Sequence, residues 1–315
     1  MMMALLLIKS KIKNFYERHY RVVRGVIKMV AVFSSLYILV NPFHSDNLFS
    51  NPIVLLALSL LCGVTPDILS DLVIGFVICA QTFQISLLLT GCLLAILIIY
   101  MLLFLRLGEH QGLLLFSVPV LMTIHIGYAV PLIAALFLSP VAVPTILMGI
   151  LLYYILQGIM EYSSMIGAAD SDSVASSLHY LVDYLKQNQM MLITLAAFTL
   201  SFLCVYMIRR GKFRHGSQIG ILVGAIVLMA VELICNIIGN LEIRTGLLTI
   251  QVLICVAAAY LVQFFRITLD YQGTKKLQFE DDEYYYYVTA VPKFKVAVVD
   301  RTVTRILSER KEEEE

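Results

Sequence analysis

Charged residues are scarce in this chain, and tryptophan is absent. Only 14% of the 315 residues are charged, whereas soluble domains carry about a quarter. Hydrophobic residues make up 60% of the chain, and its mean hydropathy is +0.86. This balance is typical of a membrane protein, so we expect lipid to surround most of the polypeptide. Without tryptophan, any aromatic belt at the membrane interface must come from the 17 tyrosines.

Sequence motifs of catalysis are also missing. The chain has no phosphate-binding glycine loop, no His-Glu-x-x-His and no Gly-x-Ser-x-Gly sequence, and its six histidines are scattered. We therefore expect a protein that is not an enzyme and uses no cofactor or metal. No stripe of basic and aromatic residues indicates nucleic-acid binding. The six cysteines lie singly in apolar runs, which predicts small hydrophobic side chains rather than disulfides or a zinc site.

Long apolar stretches define the predicted fold, because a helix needs ~20 such residues to cross a bilayer. The six predicted spans are residues 83–105, 190–208, 219–238, 247–265, 26–40 and 141–160. The predicted fold is an all-α, multi-pass membrane protein. It combines these six long spans with two pairs of short, Pro/Gly-broken helices and a small cytoplasmic β-hairpin tail.

Basic residues set the predicted orientation. The first 28 residues contain seven lysines and arginines against the single acid Glu17, which by the positive-inside bias places the N-terminus in the cytoplasm. The basic cluster 209–214 predicts a second cytoplasmic loop, and the acidic connection 161–188 is expected outside. Both termini are therefore predicted to be cytoplasmic, in the plasma membrane. The predicted domains are a basic segment (1–25), a membrane domain (26–268) and a β-rich tail with a disordered acidic end (269–315).

Two parts of the membrane domain share one plan: a short apolar piece, a Gly/Pro break, a second short piece and a long helix. These pieces are 53–62, 68–80 and 83–105 around the break 63–66, and then 113–123, 132–138 and 141–160 around the break 127–131. Such matching breaks in halves of opposite topology are typical of a midplane site in secondary transporters. Chance similarity is an equal alternative, because Gly and Pro are ordinary in membrane helices. Re-entrant short pieces give six crossings, whereas spanning pieces give ten.

The first break carries two carboxylates. Thr65 is predicted to cap a helix, with Pro66 at its first position and Asp67 in its first turn. Asp71 follows one turn later on the same face, and like charges at this spacing repel unless water, a cation or a donor separates them. At membrane depth, both carboxylates are candidates for binding a substrate or ion. In a cytoplasmic turn they are solvated, and this second interpretation is slightly favoured.

Polar residues elsewhere in the apolar runs complete the candidate site. His125 lies beside the second break and predicts either a structural residue or a group that handles a ligand or proton. Glu232 lies well inside a predicted span, with Asn236 one turn later and Gln251 at similar depth in the next span. These three predict a polar seam. The seam either joins helices through hydrogen bonds of roughly 1 kcal/mol each or handles a cation or proton.

Both ends of the chain predict contacts beyond the membrane domain. Apolar residues recur at helical spacing in 8–26 with basic residues between them, which predicts an amphipathic helix on the anionic cytoplasmic leaflet. In the tail, the β-forming runs 284–291 and 294–299 flank Pro292 and predict a hairpin that self-associates or binds a partner protein. In the outer connection, an apolar stripe along 174–185 predicts an interfacial or lid-like helix, and packing of this helix against the spans is the favoured interpretation.

Two functions follow from these features. The first is a small transporter or substrate-capturing membrane subunit, which the paired breaks and Glu232 favour. The second is a non-catalytic scaffold or assembly subunit of a cell-envelope complex, which the basic N-terminus and the β-rich tail favour. A water-accessible cavity bounded by 63–66 and 127–131 would favour transport, and a filled core would favour scaffolding.

Overall fold

The computed structural model describes residues 15, 18–43, 48–104, 111–166, 174–211, 215–239, 245–266, 275–280 and 285–290. Residues 19–267 form one compact unit, and residues 1–18 with 268–315 form another. Most of the predicted amphipathic N-terminal helix lies outside the described residues, and so does the acidic end of the tail.

All the regular secondary structure described in the unit 19–267 is helical. Its helices are α1 (Tyr20–Val40), α2 (Pro52–Val64), α3 (Asp67–Phe83), α4 (Leu87–Phe104), α5 (Gln111–Thr123), α6 (Ala129–Phe137), α7 (Ala142–Ile166), α8 (Val174–Gln187), α9 (Gln189–Arg210), α10 (Gly216–Gly239) and α11 (Thr245–Arg266). Short 3-10 turns at Asn41–Phe43 and Leu48–Ser50 connect α1 to α2.

Among the described residues, five helices are long and apolar enough to cross a membrane. They are Val22–Phe43, Ala142–Met165, Gln189–Arg210, Gly216–Ile237 and Thr245–Phe265. These helices correspond to five of the six predicted spans. The sixth, 83–105, is not confirmed, because Phe83 ends α3, the chain turns at 84–86 and α4 begins at Leu87. The turn carries the polar residues Gln84 and Ser86, and the predicted span passed over them because it began at Phe83, inside α3.

Two hydrophobic clusters fill the helical unit, and α7 belongs to both. Ile146, Ile150 and Tyr154, which lie one turn apart on one face of α7, join the cluster formed mainly by α6, α9, α10 and α11. Leu152 and Ile159 point elsewhere and join the cluster formed mainly by α1 to α4. The central helix thereby connects both halves of the unit.

Helix α8 supports the prediction made for the outer connection. Leu181 is buried, and Leu178 and Leu185 are partly buried, against the cluster of α1 to α4. This helix therefore packs its apolar stripe on the spans.

The break between α2 and α3 follows from its proline. Helix α2 starts at Asn51, whose side-chain oxygen accepts a bond from the Ile53 N–H at 3.0 Å. A residue before proline disfavours helical geometry, and Thr65 is extended with ψ 162°. The prediction that Thr65 caps α3 is wrong, because its hydroxyl donates back to the Cys62 carbonyl at 3.2 Å. Pro66 takes the cap position instead, without a side-chain bond.

The break between α5 and α6 has a different construction. His125 adopts φ 64°, the left-handed conformation that commonly ends a helix. Its N–H bonds to the Met122 carbonyl at 3.0 Å, and the Ile126 N–H bonds to the Leu121 carbonyl at 2.9 Å. This pair of bonds is the Schellman arrangement, which satisfies the free carbonyls at the end of α5.

Helix α6 is only nine residues long, about 14 Å, so it cannot cross a ~30 Å hydrocarbon layer by itself. Its C-terminal carbonyls are bonded nonetheless. The Leu138 N–H bonds to the Ala134 carbonyl at 2.8 Å, and Arg209 donates to the Ala135 carbonyl at 3.0 Å. A broken helix at membrane depth needs such partners.

The inverted repeat is not confirmed. Both predicted interruptions exist, but α3 has 17 residues and its counterpart α6 has nine. The first break uses an extended Thr-Pro pair, whereas the second uses a left-handed residue. Ten crossings would need every short piece to span the bilayer, which α6 is too short to do by itself, and six crossings stay a prediction.

In the other unit, β1 (Lys275–Glu280) pairs with β2 (Tyr285–Ala290) in an antiparallel ribbon. Strand β2 falls within the predicted strand 284–291, but its partner here precedes it in the chain. The predicted partner 294–299 lies outside the described residues, so that hairpin is not confirmed.

Candidate functional site

A cavity of about 350 Å³ lies where the α5–α6 connection meets α7, α9, α10 and α11. Its lining combines apolar surface with several polar side chains. The polar lining residues are His125, Tyr128, Tyr153, Tyr154, Gln157, Asn188, Thr194, Glu232 and Gln251. His125 is exposed, so it lies on the open side of the cavity.

Local structure explains how several of these polar groups come to line the cavity. The left-handed turn at His125 ends α5 and places Tyr128 at the start of α6. Asn188 caps α9, where its side-chain oxygen accepts a bond from the Met191 N–H at 3.2 Å. Glu232 lies in α10, seven residues before Gly239 and therefore about 10 Å along the axis from that end.

Of the described residues that line this cavity, Glu232 is the only acid. Its side chain is 5% exposed, and Tyr128 donates a hydrogen bond to its Oε2 at 2.8 Å. Within the described residues, the ion pairs found all involve Asp67, so Glu232 has no cationic partner there. A buried carboxylate without a cation is costly, which means that a proton or an incoming cation must compensate this charge.

Two tyrosines of α7 are held in place by their neighbours. The Tyr154 hydroxyl lies 3.2 Å from the Thr194 hydroxyl, and the Gln157 amide donates to the Tyr153 hydroxyl at 2.8 Å. The two rings meet edge to face with centroids 5.3 Å apart. Tyr128 packs against Phe198 with centroids 5.9 Å apart. The aromatic side of the cavity is therefore preorganised.

The backbone of the α5–α6 connection is fixed from α11. Cys255 is fully buried, and its Sγ lies 3.5 Å from the Ile126 carbonyl oxygen, to which it can donate. The same carbonyl accepts the Ala129 N–H at 3.1 Å. These contacts hold the turn that positions His125 and Tyr128.

The structure brings together three of the residues predicted from sequence. His125, Glu232 and Gln251 all line the polar cavity, whereas Asn236 is half-buried one turn away and does not line it. The predicted seam of Glu232, Asn236 and Gln251 therefore joins the cavity only in part. What any of these residues binds stays a hypothesis at this point.

Most of the lining residues were not predicted from the sequence. Tyr128 lies within the predicted break 127–131, and α7 carries Tyr153, Tyr154 and Gln157 within an otherwise apolar run. Residues three and four apart share a helix face, so Tyr153 and Gln157 form a short polar stripe. That stripe could have indicated a cavity.

Asp71 lies at a second cavity of about 260 Å³, between α3, α4 and α5. Apolar side chains form nearly all of its lining. Asp71 is 2% exposed, and its Oδ1 has no hydrogen-bond partner among the described residues. A Cβ added at Gly112 would overlap the Asp71 carboxylate, so α5 approaches this acid as closely as only glycine permits. The favoured interpretation of Asp71 as a solvated group is therefore wrong.

Asp67 lies in an ion-pair cluster rather than in open solvent, contrary to the favoured prediction. Lys28 places its Nζ 3.0 Å from Asp67 Oδ1, and Arg24 places Nη2 3.2 Å from Oδ2. Lys28 also donates to the Thr65 carbonyl at 2.6 Å. The Lys28 side chain is 7% exposed and that of Asp67 is 17% exposed, so this pair is shielded from solvent on one side.

The close crossing of α1 and α2 creates this cluster. A Cβ placed on Gly25 or on Gly63 would come within 3.2 Å of the other residue's carbonyl oxygen. Such small residues let membrane helices approach each other closely. The crossing brings Lys28, one turn after Gly25, to the carbonyl of Thr65.

No group of three metal-ligating side chains occurs within the described ranges. No protein-family model matches this chain, and neither the curated proteins nor the solved structures contain a match. Function is therefore inferred from the geometry of the cavities alone.

Proposed function

We propose that this chain is a non-catalytic, multi-pass membrane transporter or substrate-capturing membrane subunit, and that its solute binds in the polar cavity at Glu232. One observation carries the proposal. A broken helix and four long helices meet around a polar cavity that contains a buried carboxylate without a cationic partner in the described residues.

An ionisable group inside a membrane span raises the free energy of the folded protein, and such groups usually belong to a substrate or ion pathway. Interrupted helices are tolerated at membrane depth where they line a cavity, and α6 is too short to cross. A structural role in joining helices would need only the bond from Tyr128 to Glu232, not a cavity beside it.

The predicted orientation, with the connection 161–188 outside, favours solute capture from outside. Asn188 lies between α8 and α9, next to the connection that sequence analysis places outside the cell. We propose that the protein lies in the plasma membrane with both termini in the cytoplasm, so that the cavity opens outward. Single cysteines at Asn188 and at Lys212 in intact cells test this arrangement. A membrane-impermeant maleimide should label only position 188, and labelling of position 212 alone would overturn the orientation.

Transport itself is tested with purified protein in proteoliposomes. Radiolabelled cationic, zwitterionic, neutral and anionic solutes are offered in turn, with and without ion gradients. At least one solute should accumulate above the level in protein-free vesicles, and Glu232→Gln should abolish that accumulation. The matched control is Asp183→Asn, because Asp183 is exposed on α8 and does not line the cavity.

Glu232→Gln is a suitable variant because its amide oxygen can still accept the bond from Tyr128. A loss of transport therefore reports the loss of charge rather than the loss of packing. If no solute of any charge accumulates in the proteoliposomes or binds to the protein, or if Glu232→Gln handles that solute as well as Asp183→Asn does, the proposed function is wrong.

A second candidate is a scaffold or assembly subunit, which the β1–β2 ribbon favours. A two-stranded ribbon is marginally stable in water, and strand edges commonly bind a further strand. In this case the tail binds a partner protein or a second copy, and the basic N-terminus binds anionic lipid. Deleting 269–315 should then abolish co-purification of a cross-linked partner, whereas a transporter would retain solute uptake after the same deletion.

A further inference from the structure

We infer that the solute of the Glu232 cavity is a small organic cation, with its charged nitrogen held between the Glu232 carboxylate and the tyrosine rings. This inference rests on the proposed function and adds the chemical class of the solute. The charge of the cavity, the chemistry of its walls and its volume all support this class of solute.

The charge of the cavity favours a cation. Tyr128 bonds to one carboxylate oxygen of Glu232, and no bond to the other oxygen, Oε1, is found among the described residues. Among the described residues, no lysine or arginine lines the cavity to compensate this charge. A bound cation supplies the missing partner, and an anion would add repulsion in a site of low dielectric.

The walls suit an organic cation better than a bare ion. Tyr128, Tyr153 and Tyr154 all line the cavity, and the faces of aromatic rings attract ammonium and guanidinium groups. Divalent ions instead prefer six or more oxygen ligands with several carboxylates. Here one carboxylate stands beside phenol rings and amides, which is the arrangement that binds a cation with an organic body.

The size of the cavity limits the body of that cation. About 350 Å³ is near the lower end of the range for ligand sites, roughly 300–1,000 Å³. Gln157, Asn188 and Gln251 offer amide groups around the remaining surface. They can bond to hydroxyl or carbonyl substituents, so a compact, polar ammonium or guanidinium compound fits best.

Matched probes separate charge from shape. Choline and 3,3-dimethylbutan-1-ol have the same outline, but only choline carries a positive nitrogen. Binding of both is measured by equilibrium dialysis on protein in nanodiscs, together with methylammonium, guanidinium and acetate. At least one of the three cations should bind, and if choline binds, its neutral isostere should bind at least about tenfold more weakly.

Variants of the cavity test the roles of individual groups. Glu232→Gln should abolish cation binding, and Asp183→Asn should preserve it. Tyr154→Phe keeps the ring and should keep binding within a few-fold, whereas Tyr154→Leu should weaken it about tenfold. Circular dichroism and gel filtration confirm that each variant is folded, and a variant that fails to fold is replaced by Tyr153→Phe and Tyr153→Leu.

The outcomes distinguish this inference from the proposed function. If acetate or the neutral isostere binds as well as the cations, or if none of the three cations binds at millimolar concentration while another solute accumulates in proteoliposomes, the cation inference is wrong and transport stands. If no solute of any charge accumulates or binds, the proposed function fails and the inference fails with it.

Discussion

The ion pair between Lys28 and Asp67 allows a quantitative prediction about stability. Asp67→Asn keeps the shape of the side chain but leaves the Lys28 ammonium, which is 7% exposed, with the Thr65 carbonyl as its remaining strong acceptor among the described residues. Two unit charges 3.0 Å apart attract each other by about 5 kcal/mol at an effective dielectric constant of ~20. This value is an upper bound on the loss.

Two features of the cluster reduce the expected loss. Asp67 is 17% exposed, so water screens part of the attraction, and the asparagine dipole retains a bond to Lys28. Removing one partner of a fully buried pair costs about 3–5 kcal/mol. We therefore expect Asp67→Asn to lower the free energy of unfolding by about 2–3 kcal/mol. Arg24→Gln should cost less, because that guanidinium is 48% exposed.

A double-mutant cycle tests the reasoning. Lys28→Met combined with Asp67→Asn removes both charges, so the double variant should be more stable than Asp67→Asn alone by about 1–2 kcal/mol. The free energy of unfolding is measured by titrating mixed micelles with sodium dodecyl sulfate, with tyrosine fluorescence as the readout. A cost below about 0.5 kcal/mol for Asp67→Asn, the range of ordinary surface changes, or strictly additive effects in the double variant, would refute a shielded ion pair.

Three further predictions concern the breaks and the cavities. Gly112→Ala should lower the midpoint of thermal unfolding markedly, because its methyl group would overlap the Asp71 carboxylate; Gly91→Ala, which meets nothing within 4 Å, should change it little. His125→Gly should unfold at the same temperature as the wild type or higher, and His125→Val should lose about 1–2 kcal/mol at a left-handed position. An equal effect of both changes would contradict the assigned turn. Tyr128→Phe removes the hydroxyl that bonds to the carboxylate of α10 and should cost about 1.5–3 kcal/mol in the same titration, and an unchanged midpoint would argue against this bond.

Much of the helical layout was predictable because apolar length is a local property. Five of the six predicted spans correspond to helices long enough to cross a membrane. The span predicted at 83–105 is not confirmed, because α3 ends at Phe83 and α4 begins only at Leu87. The polar residues Gln84 and Ser86 between them were a signal that the prediction passed over. The proline at position 66 did predict a break, but the cap assignment at Thr65 failed because its hydroxyl bonds backwards to α2.

Residues of the candidate site could be predicted only where they belong to types that are rare in membrane-spanning helices. Glu232, Gln251 and His125 stood out as polar groups in apolar runs, and the structure places all three around one cavity. Tyr153 and Tyr154 did not stand out, because tyrosine is ordinary in a core. The interpretation of Asp67 and Asp71 as solvated groups was wrong, because the exposure of these side chains depends on which helices pack beside them. The sequence does not show that packing.

The sequence by itself determined that this chain has the composition of a membrane protein, where its long helices lie and where two of them break, because hydropathy and proline act over a few neighbouring residues. Only the tertiary structure decided that Lys28 meets Asp67 through the crossing of Gly25 and Gly63, and that four other segments place polar groups around Glu232. Those contacts join residues far apart in the chain, and their energies depend on distance and burial, which appear only when the helices pack.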